Sequence, residues 1–87
     1  MAKTEFKGPF ELALVTGGST STALAVSSGK VSSEAIDTDD TLGIVLEIQN
    51  GTSGVVERTG RISADGYIKL TAGTKGKKIL VLWIDAN

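Results

Sequence analysis

The stretch Gly43-Ile44-Val45-Leu46-Glu47-Ile48-Gln49, followed by Asn50-Gly51-Thr52-Ser53-Gly54 and then Val55-Val56-Glu57-Arg58-Thr59-Gly60, reads as one β-hairpin. Successive strand side chains point to opposite sides of a sheet, so strict alternation puts Ile44, Leu46 and Ile48 on one face, the expected core face. Asn50-Gly51 supplies the positive φ that a tight or bulged hairpin turn demands. Upstream, Phe10 to Thr16 alternates Phe10, Leu12 and Leu14 against Glu11, Ala13 and Val15 and reads as a strand. Gly17-Gly18-Ser19-Thr20-Ser21 reads as a flexible loop. Ala23–Ser27 and Val31–Ser33 read as short strands joined through Ser28-Gly29-Lys30.

Downstream, Arg61-Ile62 is expected to continue the second hairpin strand, and Ser63-Ala64-Asp65-Gly66 to turn the chain into Tyr67-Ile68-Lys69-Leu70. A loop from Thr71 to Gly76 leads into a final strand, Lys77 to Ile84. Short apolar runs separated by turn residues at intervals of about 8–12 are the pattern of a sandwich or barrel. No window shows a sustained i, i+3, i+4, i+7 apolar stripe, so no long helix is expected; the acidic connection Glu34 to Thr41 has room for one helical turn. The expectation is an all-β, single-domain β-barrel, β-tulip-like or sandwich module spanning residues 10–87, with a flexible arm over residues 1–9.

The final strand carries Ile79, Val81 and Trp83 on one face and Leu80, Leu82 and Ile84 on the other. A strand apolar on both faces is either covered twice within its own domain or covered once by a neighbouring chain. The chain has 87 residues and no Cys or His. A domain of this size buries only about 60% of the surface its unfolded chain exposes. Small domains usually add disulfides, a metal or oligomerisation. Disulfides need Cys and structural zinc relies on Cys and His, so self-association is favoured.

Formal net charge is −1, from 9 Lys and Arg against 10 Asp and Glu. That provides no single-sign field for nucleic acid or an acidic membrane. The aromatics Phe6, Phe10, Tyr67 and Trp83 do not form an interleaved basic-aromatic platform for single strands. Residues 1–7 lack the apolar core of a signal peptide, and Ile79 to Ile84 falls far short of the roughly 20 residues that span a bilayer. A soluble protein with neither membrane nor nucleic-acid partner is expected.

Asp37-Thr38-Asp39-Asp40 groups carboxylates as a calcium loop does, but Asp37 opens no EF-hand pattern: no Gly stands six positions in and no Glu closes the loop. Asp and Thr also make turns by bonding their own backbone. Both readings stay open at this point. Gly73-Thr74-Lys75-Gly76-Lys77-Lys78 has too short a spacing for a phosphate loop and leads into a strand rather than a helix, which leaves a lysine-decorated hairpin tip. Nucleophilic catalysis lacks its usual His base and a Gly-x-Ser-x-Gly elbow. No enzyme activity, cofactor or metal is expected.

Thr22-Ala23-Leu24-Ala25-Val26, Gly43-Ile44-Val45-Leu46-Glu47, Val55-Val56-Glu57-Arg58-Thr59 and Gly60-Arg61-Ile62 resemble the succession seen in the small capsid decoration, or cement, proteins of tailed bacteriophages. That succession is a Gly/Thr-rich strand pair, a Gly-Ile/Val-any-Leu-Glu strand, a Gly-containing turn, a Val-rich strand, and Gly before an apolar residue. The resemblance covers roughly residues 20 to 70; the Lys-rich Thr74 to Lys78 and the long last strand depart from it. It implies a non-enzymatic homotrimer that binds the major capsid protein on the outside of the virion and bridges capsomers, assembled in the host cytoplasm. The alternative is a tail, fibre or other β module that recognises a surface or polymer. Candidate partner-interface residues are Lys3, Glu5, Phe6 and Lys7 in the arm, Phe10, Lys75, Lys77 and Trp83. Phe6, flanked by charge, suits an anchor, and Trp83 is a residue type shared by cores and interface hot spots.

Overall fold

The structure, a computed structural model, describes residues 10–29, 34–49 and 54–85. The arm 1–9, the expected strand Val31–Ser33 and the Asn50-Gly51 turn lie outside these. The strands are β1 (Phe10–Thr16), β2 (Leu24–Ala25), β3 (Thr41–Ile48), β4 (Val55–Arg58), β5 (Gly60–Ala64), β6 (Tyr67–Leu70) and β7 (Lys78–Ile84). They form two antiparallel sheets, ordered β1-β7-β3-β4 and β2-β6-β5. The all-β expectation holds, and of its variants the architecture is the sandwich: two sheets packed over one core, not closed into a barrel. Among the described residues no helix occurs, so none is long and apolar enough to cross a membrane.

β7 is the spine. It pairs with β1 from Phe10↔Ile84 to Thr16↔Lys78 and with β3 on its other edge. Its Ile79, Val81 and Trp83 point inward and are fully buried, where they meet Ala13 of β1, Val45 of β3, and Leu24, Ile68 and Leu70 of the second sheet. Val26 and Ile36 complete this core. They come from the connection between β2 and β3, which is tied to the sandwich by Val26 N–H to Gly66 O, Ile36 N–H to Val26 O and Gly66 N–H to Ile36 O.

The face of β3 is the opposite of that expected. Val45 and Glu47 point into the core, while Ile44 and Ile48 are exposed and Leu46 is half-buried on the outside. The cause is a β-bulge. Leu42 lies opposite Trp83 and Val45 opposite Val81, so Gly43 and Ile44 together oppose Leu82. An extra residue in one strand reverses the alternation beyond it. Leu42 packs against the core as even numbering requires, and after the bulge the odd positions turn inward. Gly43 is what permits this: a Cβ there would stand 2.9 Å from the carbonyl oxygen of Leu82.

Three other expectations are corrected. Arg61-Ile62 does not continue β4: the chain breaks at Thr59 and β5 joins the other sheet. Thr71 to Lys77 is not a hairpin tip, because β6 and β7 belong to different sheets and the segment crosses between them. Its Thr74 is buried and locks Gly17-Gly18, expected to be flexible. The Thr74 N–H donates to Gly18 O at 2.8 Å, its Oγ1 accepts from Gly18 N–H at 3.2 Å, and Gly17 N–H donates to Lys77 O at 2.8 Å. Residues 34–40 contain a turn at Thr38-Asp39 and no helix, and Thr41 already begins β3, while Asp65-Gly66 does make the expected β5–β6 turn, with Gly66 at φ 86°.

The bulge yields a direct test. Val45→Asp puts a charge among Val81 and the other core side chains, beside an Arg58 already engaged by Glu47, and should cost about 3 kcal/mol or more. Ile44→Asp, one residue earlier, should retain the cooperative fold. Circular dichroism melts of the two variants check this, and comparable melting of both would contradict the register.

Candidate interaction surface

With β3 reversed by the bulge, apolar residues of all four strands line the outside of the four-stranded sheet. Register aligns them in rows: Phe10 with Ile84, Leu12 with Leu82, then Leu14 with Leu80 and Leu46, then Ile48 with Val55. Leu14 is 61% exposed, Ile44 47% and Ile84 46%. Scattered exposed hydrophobics are ordinary, whereas a contiguous apolar sheet face larger than a few hundred Å² marks an interaction site. The exposed face of the smaller sheet is different, since Arg61 lies opposite Lys69 there.

Behind β3 sits a partly buried ion pair. Glu47 is 4% exposed, and its Oε1 accepts from Arg58 Nε at 3.1 Å while Oε2 accepts from the Gln49 side-chain amide. The strand register explains the pairing: Val45 lies opposite Arg58 and Glu47 opposite Val56, so Glu47 and Arg58 are diagonal neighbours on the inner face. Hydrogen bonding to Arg58 is the main cause that holds the Glu47 carboxyl below the ordinary glutamate value, with Gln49 helping and burial opposing. This glutamate, the last residue of the Gly43–Glu47 stretch, is therefore a structural group that fixes β4 against β3.

The end of the sandwich where β1 begins and β7 ends is acidic. Glu11, buried, accepts from Ser28 Oγ at 2.6 Å, and carboxylate oxygens of Glu11, Glu34 and Asp85 lie within 4.8 Å of one another. A cleft of about 350 Å³ beside them is lined by Glu34, Asp37, Asp40, Asp85 and the edge of Trp83. Such oxygens are the donor type that hard cations take. The sequence candidates Asp37 and Asp40 have local work in a turn: Asp40 Oδ2 accepts from Asp37 N–H and Asp37 Oδ1 from Asp39 N–H, both at 3.0 Å. Asp65 Oδ1 accepts from Thr38 N–H at 2.9 Å and ties this turn to the β5–β6 hairpin.

The candidate interface residues do not converge. Phe10 stands on the outer apolar face, 38% exposed, at the acidic end. Lys75, exposed, and Lys77, half-buried, lie at the other end of β7, about 20 Å of strand away. Trp83 is 1% exposed and takes its core role rather than a docking one. Lys3, Glu5, Phe6 and Lys7 lie outside the described residues. The residues that sequence reasoning missed are Leu14, Ile44 and Ile48. The available signal was the second apolar face of β7, whose neighbours on that side had to be apolar as well. No protein-family model, characterised protein or solved structure matches this chain.

The ion pair sets an acid limb. Because the native Glu47 carboxyl titrates below its unfolded value, its contribution to stability is complete above the ordinary glutamate value of 4.5 and is lost as pH falls through the native value. Glu47→Gln should be less stable at pH 7 and should flatten the loss of stability below about pH 4.5. Urea titrations at pH 7, 5 and 3 measure both effects; an unchanged slope in the variant would assign the acid limb to other groups.

Proposed function

We propose that this chain is a non-enzymatic structural protein that binds the outside of an assembled viral capsid and stabilises it by bridging capsomers. The observation that carries the reading is the contiguous apolar outer face of the four-stranded sheet, a surface built for protein contact on a domain too small to cover it. The resemblance over residues 20 to 70 supplies the partner, the major capsid protein, and the setting, the capsid surface of a virion. A chain without His or Cys, whose buried carboxylates Glu11 and Glu47 are engaged by Ser28 and Arg58, supports a structural role over a catalytic one. Self-association, with a trimer favoured, belongs to the same reading, since multivalent attachment to a repeating shell raises avidity without new contacts.

Purified protein incubated with emptied tailed-phage heads should co-sediment with them and appear by electron microscopy as regularly repeated density in many copies per head. Attachment in only a few copies at one vertex would favour the tail or fibre alternative. No attachment to heads that lack a decoration layer would overturn the reading. Deleting residues 2–8 should weaken attachment and leave the melting temperature nearly unchanged, the behaviour of an arm that contributes contact but no core.

A further inference from the structure

We infer that the outer face of the three-stranded sheet binds an acidic polysaccharide, seating a neutral sugar ring on Tyr67 and the carboxylate of the adjoining ring on Arg61 and Lys69. This site is additional to the proposed function and uses a different surface. The two sheets of a sandwich turn their outer faces in opposite directions, so a domain held by the apolar face of the four-stranded sheet still presents this one.

Alternation builds the face. Leu24, Ile62, Ile68 and Leu70 turn inward to the core, so Ala25, Arg61, Tyr67 and Lys69, which alternate with them, turn outward. Register sets these in rows. Tyr67 stands between Ala25 of β2 and Ala64 of β5, and Arg61 stands directly opposite Lys69 in the next row. The tyrosine is 43% exposed, and both alanines beside it are exposed as well. An exposed aromatic between two short side chains offers an apolar platform with a polar tip.

The cation pair points to the charge of the ligand. Like charges directly opposite on neighbouring strands destabilise a sheet. Among the described residues neither Arg61 nor Lys69 has a hydrogen-bond or ion-pair partner that would offset this. Asp65, the carboxylate nearest to them along the chain, is turned to the Thr38 N–H at the β5–β6 turn. The two cations stand about 5 Å apart across the strands, so both reach one anion. The guanidinium brings a planar pair of donors that fits a carboxylate, and the ammonium adds another. Tyr67 lies about 6.8 Å from Lys69 along β6 on the same face, a separation of the order of one unit in an extended sugar chain.

The same features select the polymer. A single-stranded nucleic acid is held by successive aromatic platforms in a field of one sign. This face has one aromatic, the chain has a net charge of −1, and the turn beside Tyr67 carries Asp65, which repels a phosphate on every unit. A polysaccharide that alternates neutral and carboxylate-bearing rings meets the platform with its uncharged unit and the cations with its charged one.

Isothermal titration calorimetry of the full chain with a hyaluronan octasaccharide, in which N-acetylated neutral rings alternate with carboxylate-bearing ones, tests this. Binding should be measurable at low salt and weaken as salt is raised. Tyr67→Ala and Arg61→Glu should each weaken it about tenfold or more. Arg61→Glu sets opposite charges across β5 and β6, so it should melt at or above the wild-type temperature, which separates lost contact from lost fold. Absence of wild-type binding, equal binding of neutral maltooctaose, or an affinity unmoved by either substitution overturns the inference. Tighter binding of an oligothymidylate of equal length overturns it in favour of nucleic acid.

Discussion

β7 is hydrogen-bonded along both edges and carries large apolar side chains on both faces, so it must be covered on two sides at once. Its inner face settles the position of nearly everything else. Ile79, Val81 and Trp83 define the core plane; β1 and β3 flank them with Ala13 and Val45; and the second sheet closes over them with Leu24, Ile68 and Leu70. The outer face repeats the demand, and the described residues supply no layer for it. That imbalance in a two-layer sandwich is the origin of the candidate interaction surface.

Four buried polar residues, Glu11, Ser28, Glu47 and Thr74, enter the interior with partners, whereas the buried Ser63 Oγ has none among the described residues. Glu47 is matched by Arg58 and Gln49, Glu11 by Ser28, and Thr74 by the backbone of Gly18. Each tie joins segments distant in the chain or adjacent in the sheet: β4 to β3, the β2–β3 connection to β1, the β6–β7 crossing to the β1–β2 loop. An unpartnered buried charge costs far more than a satisfied one returns, so these ties act chiefly as constraints on geometry. They hold a small domain in one arrangement where apolar area alone is scarce.

Function is read from the same two facts. A domain without His or Cys has a narrow choice of nucleophilic or metal chemistry, and its buried carboxylates are engaged in holding strands and loops together. What it offers outward is area: a flat apolar sheet face with charges towards its margins, an acidic end and a lysine end. Surfaces of this kind suit assembly, in which many weakly sufficient contacts are repeated by symmetry. The capsid proposal is one such assembly.

The sequence by itself determined the all-β class, the strand Phe10–Thr16, the hairpin partners β3 and β4, the Asp65-Gly66 turn and the two apolar faces of β7. These follow from alternation and turn chemistry, which act over a few neighbouring residues. Only the tertiary structure decided which face of β3 is buried, because that depends on a bulge opposite Leu82 and not on the alternation of β3 itself. It also decided that β4 and β5 part at Thr59 into different sheets, that Thr74 locks Gly17-Gly18, and that Phe10 and Lys75 stand at opposite ends. Each of these rests on contacts between residues far apart in the chain. Local pattern carries no term for such contacts, so the outer surface became visible only once the strands were in register.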